Sequence, residues 1–340
     1  MTILPTGKLP PKLLGQLLNN APVSHPRVRL GPGVGLDCGV IETNGMVQVF
    51  KTEPITFATD QIGWYAVQVA VNDIVTTGAT PRWIMLSLLL PEGKTTPALV
   101  ETIGEQIFTA CRLHNLTVLG GHTEITTGLD RPILVATVVG ETTPERLITP
   151  QGAQVGNKIL LTKSAGIEAT AILAREMAER LQDALLPEEI EAAQNYLYEP
   201  GISVWKDAQI AQQAGRVTAM HDPTEGGIVT ALWELAEASD KTLQVKPAAI
   251  PISPITEKLC SALKIDPLAA ISSGSLLMTA AAEDSPAICR ALAEAGIACA
   301  VIGDVSEGPA DVQINTRCGP QRLYQVERDE VARLFETPMP

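Results

Sequence analysis

An acidic residue near the end of one predicted helix is the first candidate for chemistry. In the stretch "QIGWYAVQVAVNDIVTTGA", Ile62, Tyr65, Val69 and Asp73 share one stripe at helical spacing. The other side of this helix is apolar too, so we predict that it is buried nearly all round. A carboxylate there costs free energy unless it is paired or binds a metal ion. Asp73 is therefore a candidate metal ligand, with a bond to a neighbouring backbone group or an arginine as the alternative.

A glycine-rich run, "GPGVGLDCGVIE", could surround a phosphate group. Gly33 and Gly35 lack a Cβ and tolerate positive φ, so that consecutive backbone amides can approach an anion, and Asp37 follows them. The run matches neither the P-loop pattern nor the dinucleotide-binding pattern that opens a helix. An ordinary turn is the alternative.

A second pair of glycines, Gly120 and Gly121, follows an apolar strand in "TVLGGHTEIT". Polar groups at the carboxyl end of a strand are where α/β proteins often bind ligands. His122 and Glu124 come next, so this segment predicts a strand followed by a turn that carries polar side chains. A structural histidine is the alternative to a metal-binding or basic His122.

The stretch "HDPTEGGIVTALWELAEAS" predicts the start of an amphipathic helix. Asp222 can cap this helix and Pro223 suits its first turn. The negative charge of Glu225 interacts favourably with the positive end of the helix dipole. The two glycines that follow are not explained in this way, since each costs roughly 1 kcal/mol against alanine inside a helix. Helix amides without a Cβ beside them suit an anion. The segment therefore predicts either a plain helix start or part of an anion site.

Composition limits the classes of protein that fit. The chain has 340 residues, of which 45% are hydrophobic and 19% charged, and this predicts a folded protein of two domains. A net charge of −13 argues against a DNA or RNA partner but not against a nucleotide, because a bound metal ion can offset phosphate charge. The six cysteines form no C-x-x-C pair, which favours a reducing compartment. Because no apolar run suits a signal peptide or a membrane span, we expect a soluble cytoplasmic protein.

Short apolar runs and helical periodicities alternate in both halves of the chain, which predicts an α+β or α/β fold in two domains. The Thr- and Pro-rich segment "TTPERLITPQGAQVGN" is the predicted junction. We place an N-terminal arm at 1–25, a first domain at 26–150, a second domain at 151–325 and a tail at 326–340.

Taken in order, these motifs resemble those of one superfamily. The order is "GPGVGLDCGVI", "TEPITF", "DQIGWYAVQVAVNDIVTTGATP", "VLGGHTEIT", "GNKILLTKSAGIEATAIL", "HDPTEGGI", "SSGSLLM" and "VIGDV". They are similar to the aminoimidazole-ribonucleotide synthetase (PurM-like) superfamily over nearly the whole chain after residue 25, and nearest to the hydrogenase-maturation factor HypE and AIR-synthase-related proteins. The resemblance implies an N-terminal PurM-like domain that contributes strands to a barrel in a homodimer, and a C-terminal α/β domain.

The resemblance also implies a site and a reaction. ATP and Mg²⁺ would bind, and the γ-phosphoryl group would pass to a carbonyl, carboxamide or phosphate oxygen of a small or protein-bound substrate. The implied nucleotide contacts are Gly33, Gly35, Asp37, Asn72, Asp73, Gly120 and Gly121. Lys163 is a candidate phosphate contact, with a surface lysine as the equal alternative. The implied metal ligands are Asp37, Glu53 and Asp73, the implied catalytic residues are Asp73 and Asp222, and Asp60 matches the acid before the long helix.

Several positions depart from the superfamily's pattern. His122 stands where many relatives carry an acid, with Glu124 as a candidate substitute, and Glu225 stands where HypE usually has arginine and thiamine-monophosphate kinase has Asp. HypE ends in a cysteine that carries its carbamoyl group, whereas this sequence ends "RDEVARLFETPMP" and its Cys318 lies earlier. We interpret Cys38 as structural.

Three functions therefore stay open. The first is a HypE-like, ATP- and Mg²⁺-dependent enzyme that is linked to hydrogenase maturation yet lacks the terminal cysteine. The second is a small-molecule kinase resembling thiamine-monophosphate kinase. The third is a nucleotide-binding scaffold that has lost catalysis.

Overall fold

The structure is a computed structural model that describes residues 4, 9–23, 25–33, 35–56, 60–316 and 319–336. It divides into two compact units. The N-terminal unit comprises Pro22–Pro32 and Asp37–Leu147, and the C-terminal unit comprises Ile148–Pro340 together with Met1–Ala21 and Gly33–Leu36. Cys318 and the last four residues of the predicted tail lie outside the described residues.

The division between the units falls after Leu147, inside the segment predicted as the junction. Two short 3₁₀ helices, Pro144–Arg146 and Pro150–Gly152, flank this point. The predicted arm and tail do not form units of their own, because helix α1 (Pro11–Leu18) and the last helix (Glu330–Glu336) both group with the C-terminal unit.

The N-terminal unit is a six-stranded mixed sheet with two helices. Its elements in chain order are β1 (Val28–Leu30), β2 (Gly39–Thr43), β3 (Met46–Ile55), α2 (Ile62–Thr76), β4 (Thr80–Pro91), α3 (Pro97–Leu113), β5 (Thr117–Thr126) and β6 (Ile133–Thr142). The strand order is β1-β2-β3-β6-β4-β5, and neighbouring strands are antiparallel except β4 and β5, which run parallel. Helices α2 and α3 pack together, and α2 also contacts β3, β4 and β6.

Helix α2 is buried on nearly every side, as its apolar residues predict. Only Trp64 among its residues falls outside the buried set, and Ala66 and Val71 have no exposed surface at all. Gly78 follows with φ +75°, a conformation that does not continue a helix. The prediction of an apolar helix buried all round is confirmed, and it places Asp73 inside the unit.

The two glycines of "TVLGGHTEIT" lie inside a strand, so the turn that we predicted there is wrong. β5 continues through Gly120 and Gly121 while it pairs with β4. Their φ angles are +150° and +156°, a conformation that favours glycine, and a Cβ on Gly121 would lie 1.8 Å from the carbonyl oxygen of Leu86. The glycines therefore allow β5 to approach β4 closely at a register shift of the ladder.

The C-terminal unit is built around a seven-stranded sheet. Besides α1, its elements in chain order are β7 (Lys158–Thr162), α4 (Ile167–Glu176), α5 (Ala178–Leu181), α6 (Pro187–Gln194), α7 (Trp205–Ala214), β8 (Val217–His221), α8 (Gly227–Ser239), β9 (Thr242–Val245), α9 (Pro254–Leu263), β10 (Leu277–Ala280), α10 (Ser285–Glu294), β11 (Cys299–Ser306), β12 (Asp311–Thr316), β13 (Gly319–Arg322) and α11 (Glu330–Glu336). The strand order is β13-β12-β9-β11-β7-β10-β8, and neighbouring strands are antiparallel except β9 and β12, which run parallel. In the described part of the chain, every helix is too short or too polar to cross a membrane.

Helix α8 begins at Gly227, so the prediction that Asp222 caps it is wrong. Gly226 and Gly227 adopt φ of +79° and +62°, in the left-handed region of backbone conformation, which favours glycine. A Cβ on Gly227 would lie 2.5 Å from the carbonyl oxygen of Leu268, and one on Gly226 would lie 2.0 Å from Thr230 Oγ1. Backbone conformation and close packing thus explain both glycines. The predicted apolar face of the helix is confirmed, because Ile228, Ala231, Leu232, Leu235 and Ala236 are all buried.

Candidate functional site

Three acidic side chains from separate segments of the N-terminal unit converge on one lysine. Asp37 precedes β2, Glu53 lies on β3, and Asp73 lies in the last turn of α2. Alternate residues of a strand share a face, so Lys51 and Glu53 lie on the same side of β3, the side whose other residues are buried. Because α2 packs against β3, its last turn brings Asp73 to this pair.

The distances define a compact group, which we call the Lys51 cluster. The ammonium nitrogen of Lys51 lies 3.0 Å from Asp73 Oδ2, 3.0 Å from Glu53 Oε2 and 3.8 Å from Asp37 Oδ1. The exposed fraction of the side chain is 3% for Asp73, 11% for Lys51, 28% for Glu53 and 34% for Asp37. The cluster therefore extends from a buried carboxylate to the surface of the unit.

Burial and charge set the pKa values in this cluster. Burial alone would lower the pKa of Lys51, but the attraction of the three acids raises it well above its usual value of 10.5. Burial raises the pKa of Asp73 to about 7, against the attraction of Lys51. Lys51 therefore carries its charge at neutral pH and opposes the protonation of Asp73.

The backbone around Asp73 is held by two further hydrogen bonds. The thiol of Cys38 and the hydroxyl of Thr76 both donate to the Asp73 carbonyl oxygen, at 3.4 Å and 2.8 Å. Cys38 is a buried cysteine, and its structural role stays an interpretation. Asn72, the neighbour of Asp73, is fully buried, whereas Asp60 lies exposed before α2.

The acids of the cluster suit a hard divalent cation by their chemistry. Carboxylate oxygens are among the ligands that Mg²⁺ prefers, and Asp37, Glu53 and Asp73 supply three carboxylates. The ammonium group of Lys51 occupies the point on which they converge, and among the described residues no set of acidic, histidine or cysteine side chains is arranged to hold a metal ion. The implied metal ligands therefore fit Mg²⁺ on the condition that Lys51 moves.

A second polar feature of this unit lies on β5, which is an edge strand. His122 Nε2 lies 2.9 Å from Glu124 Oε2, and both side chains are exposed. Gly120, Gly121 and His122 line a groove of about 780 Å³ between α3 and the strands β4 and β5. The contacts of His122 and Glu124 make them a surface pair.

Lys163, implied as a phosphate contact, lies in the C-terminal unit. Its ammonium group donates to the carbonyl oxygens of Ser203 and Gly274 at 2.6 Å and 2.9 Å, and lies 3.2 Å from Asp207 Oδ2. These contacts use all three ammonium protons, and burial lowers the pKa of Lys163. The structure gives Lys163 a structural role, and its contact with phosphate stays a prediction.

The remaining implied positions also lie in the C-terminal unit. Gly33 and Gly35 belong to it, so the glycine-rich run is divided between the two units. Gly35 has φ +75°, and a Cβ there would lie 3.7 Å from the carbonyl oxygen of Glu234. The Glu234 carboxylate lies 2.7 Å from His221 Nε2. Asp222, directly after β8, is 1% exposed.

A second group of acids lies around the start of α8, and our sequence analysis missed it. Asp329 accepts hydrogen bonds from the amides of Gly226 and Val331, both at 2.7 Å. Glu168 is 4% exposed beside Ser273, and burial raises its pKa to about 7. The Gly226 amide of "HDPTEGG" therefore donates to a carboxyl group of the chain itself, and the Gly227 amide donates to the carbonyl oxygen of Thr224.

Two mixed sheets that carry helices, the first with a buried acid cluster, define a two-domain protein of the α+β class. Comparison with family models identifies both domains. Residues 35–142 match the family described as AIR synthase related protein, N-terminal domain, and residues 154–314 match its C-terminal domain. The chain therefore belongs to the AIR synthase related family, and its two domains are PurM-like, as the resemblance implied.

Individual proteins agree with this assignment. The carbamoyl dehydratase HypE of Cupriavidus necator is 30% identical over 275 residues, which cover 79% of this chain and 75% of that protein. A structure of the hydrogenase maturation protein HypE in complex with ATP is similar with a TM-score of 0.71 and 22% identity, over 94% of this chain and 91% of that one. A structure of AaThiL complexed with AMPPCP and TMP has a TM-score of 0.68 and 20% identity, over 86% and 92% of the two chains. Both likenesses show the fold.

Proposed function

We propose that this protein is an ATP-dependent phosphoryl-transfer enzyme of the HypE-like kind, and that its nucleotide phosphates bind near the Lys51 cluster. The observation that supports this proposal is the convergence of Asp37, Glu53 and Asp73 on one cation. Three carboxylates and a buried lysine collected from distant positions serve no requirement of the apolar core, since buried charges cost stability. A fold similar to that of a protein solved with ATP supports the same assignment.

The acceptor of the phosphoryl group is proposed to be a carbonyl, carboxamide or phosphate oxygen of a small or protein-bound substrate. Phosphorylation of an amide oxygen turns a poor leaving group into a good one, which is what a dehydration needs. The name carbamoyl dehydratase of a 30% identical relative supports an amide acceptor. A link to hydrogenase maturation is supported by the similarity to the hydrogenase maturation protein HypE. Positioning and neutralisation of phosphate charge supply most of the catalysis in such a reaction.

Mg²⁺ is the proposed companion of ATP, with Asp37, Glu53 and Asp73 as its ligands. When bound, the ion would neutralise negative charge on the phosphates. Lys51 adds a positive charge from the protein itself, and Asp73 is held in place by its backbone contacts with Cys38 and Thr76. The further proposed nucleotide contacts are Gly33, Gly35, Asn72, Gly120, Gly121 and Lys163, and Asp222 is proposed as a second catalytic residue.

Calorimetric titration of ATP with and without Mg²⁺ tests this proposal. We expect binding that depends on Mg²⁺ in the wild type and is lost or reduced at least about tenfold in Asp73→Asn, which corresponds to one good charged contact. Asp130→Asn, at an exposed position of the same unit, is the matched control and should bind as the wild type does. If the wild type binds no ATP, or if Asp73→Asn binds it as well as the wild type, the proposed site is wrong.

A small-molecule kinase resembling thiamine-monophosphate kinase is the second candidate. The fold likeness to AaThiL complexed with AMPPCP and TMP supports it, and so does Glu225, where HypE usually has arginine. Incubation with ATP and thiamine monophosphate, followed by product analysis, separates the candidates. Thiamine diphosphate would establish the kinase. Tight ATP binding with no ADP release on any substrate would instead favour the scaffold that has lost catalysis.

We also propose that the protein forms a homodimer through β5. This edge strand exposes Val118, Leu119 and Ile125, with 59% of Leu119 and 60% of Ile125 accessible. An exposed apolar edge strand is a ready surface for pairing with another chain, and the superfamily's barrel would supply that chain as a second copy. Light scattering should give the mass of a dimer for the wild type and of a monomer for Leu119→Glu. Leu186→Glu, at an exposed leucine of the C-terminal unit, is the control.

A further inference from the structure

The Lys51 ammonium group occupies the place that a divalent cation would need in this cluster. It lies at hydrogen-bonding distance from Asp73 and Glu53, and within ion-pair distance of Asp37. A Mg²⁺ ion binds carboxylate oxygens at about 2.0–2.1 Å. An ion bound by the same oxygens would therefore lie next to the ammonium nitrogen, and the two positive charges would repel each other, since the burial of Lys51 and Asp73 limits screening by water.

The charge balance of the cluster also indicates that Lys51 and a divalent ion are alternative partners of the acids. Three carboxylates and one ammonium group leave a formal charge of −2 when all are ionised. The most buried acid, Asp73, is 3% exposed and contacts the ammonium directly. A buried carboxylate needs a compensating cation while it is ionised, so an ionised Asp73 keeps either Lys51 or a metal ion close to it.

We propose that Lys51 is an internal cation that blocks divalent metal ions from Asp37, Glu53 and Asp73 until a nucleotide is bound. In the free protein the ammonium group holds the three acids together and excludes the ion. Phosphate oxygens give the ammonium a second set of anionic partners, so Lys51 releases the acids when the nucleotide arrives, and this part of the inference rests on the proposed function. Lys51 is in this sense a positioning residue that couples metal binding to nucleotide binding.

Binding of Mn²⁺ to the nucleotide-free protein tests the blocking role directly. The electron paramagnetic resonance signal of free Mn²⁺ measures how much of the ion is bound, without any need for activity. We expect Lys51→Met to bind one Mn²⁺ at least about tenfold more tightly than the wild type, because the repulsion between an ammonium and a divalent ion about 4 Å apart exceeds that factor even in water. The double variant Lys51→Met/Asp73→Asn should lose the gain.

Two further variants control this experiment. Lys51→Arg keeps the positive charge and should exclude Mn²⁺ as the wild type does. Lys158→Met removes a lysine that is paired with Asp304 in the other unit, and it should gain no Mn²⁺ site. If Lys51→Met does not fold in the absence of metal, Lys51→Gln replaces it, and folding of Lys51→Met that is restored by Mn²⁺ counts as the same gain.

The outcomes separate this inference from the proposed function. Wild type that binds Mn²⁺ without nucleotide as tightly as Lys51→Met overturns the inference, and so does a folded Lys51→Met or Lys51→Gln that gains no site. A wild type that binds no ATP or ATP analogue overturns the proposed nucleotide site, while a gain of Mn²⁺ in Lys51→Met would still establish the blocking role. Mn²⁺ that binds to the wild type only together with a non-hydrolysable ATP analogue supports both.

Discussion

The two units keep acidic side chains out of water by different means. In the N-terminal unit, Asp73 lies 3.0 Å from the ammonium group of Lys51, so its charge is balanced by a cation. In the C-terminal unit, Glu168 and Asp329 are 4% and 6% exposed, and Asp329 accepts hydrogen bonds from the amide of Gly226 and from amides in the first turn of α11. Burial raises the pKa of Glu168 to about 7 and that of Asp329 to about 6.

The difference shows what each arrangement is able to do. A carboxylate that is balanced by a movable lysine can exchange that lysine for another cation, such as a metal ion. A carboxyl group that is buried without a cation beside it loses less solvation free energy when it holds a proton. Its hydrogen bonds then stabilise one conformation of the chain. The first arrangement suits a binding site. The second suits a hydrogen-bonded contact between two segments, here between α8 and the start of α11.

Removal of the cation from the N-terminal cluster is expected to have the largest effect. Lys51→Met in metal-free buffer leaves Asp73 buried without its partner, which should lower the free energy of unfolding of this unit by about 3–5 kcal/mol. Hydrogen exchange of β3 and α2, measured by mass spectrometry, reports this loss locally, as a two-domain protein requires. Lys51→Arg, which keeps the charge, should lose much less. Protection in Lys51→Met equal to that of the wild type would show that Lys51 does not balance Asp73.

The pH dependence of stability tests whether Glu168 holds a proton in the folded state. Folded Glu168 keeps its proton up to about pH 7, whereas the unfolded chain releases it near 4.5. The folded state therefore binds more protons in this window, so stability falls as pH rises through it. Glu168→Gln removes this fall, and at pH 8 its C-terminal unit should be more stable than that of the wild type by up to about 3 kcal/mol.

Urea unfolding at pH 4.5 and at pH 8 measures this difference. The two proteins should be close in stability at the lower pH and diverge at the higher one. Asp329 contributes in the same direction in both proteins, since its pKa is raised to about 6. Glu188→Gln, on the exposed side of α6, is the control and should follow the wild type. A Glu168→Gln profile parallel to that of the wild type would mean that Glu168 is ionised in the folded state.

The sequence predicts those parts of this contrast that depend on residues close together in the chain, and it does not predict those that depend on contacts between distant segments. The period of α2 is local, so the pattern of Ile62, Tyr65 and Val69 predicts both the helix and the burial of Asp73. Lys51 was missed although it lies two residues before Glu53 on an alternating strand, which places both on one face. Its meaning depends on Asp73, which reaches it only because α2 packs on β3.

The acids of the C-terminal unit could not be predicted for a related reason. Glu168 lies in the first turn of α4, where an exposed acid is favourable by the helix dipole alone. Its burial beside Ser273, a residue distant in the sequence, is not visible in the local pattern. At "HDPTEGG" the composition predicts a helix start, but not that Gly226 and Gly227 have positive φ. The sequence therefore places the motif correctly and the helix start wrongly.

Loss of the hydrogen bonds of Asp329 is expected to have a moderate effect on the free energy of unfolding. Its Oδ2 accepts from the Gly226 amide and its Oδ1 from the Val331 and Ala332 amides. Asp329→Ala removes these acceptors and should cost about 1–2 kcal/mol, as the loss of a helix cap does. Asp329→Ser keeps a side-chain oxygen that can cap α11, but this oxygen cannot also accept from the Gly226 amide. In urea unfolding its stability should therefore lie between that of the wild type and that of Asp329→Ala. Equal losses for Ala and Ser would show that the contact with Gly226 carries the stabilisation.

Loss of the exposed ion pair on β5 is expected to change the free energy of unfolding least. It therefore provides a reference for the two buried arrangements. His122 and Glu124 are 65% and 47% exposed, so water screens their attraction, and Glu124→Gln should change the free energy of unfolding by less than about 0.5 kcal/mol. High salt should remove even this difference. A loss several times larger would mean that this strand edge is covered in the assembled protein, as a dimer through β5 requires. In that case Leu119→Glu, which keeps the chain monomeric, should reduce the effect of Glu124→Gln to the value of an exposed pair.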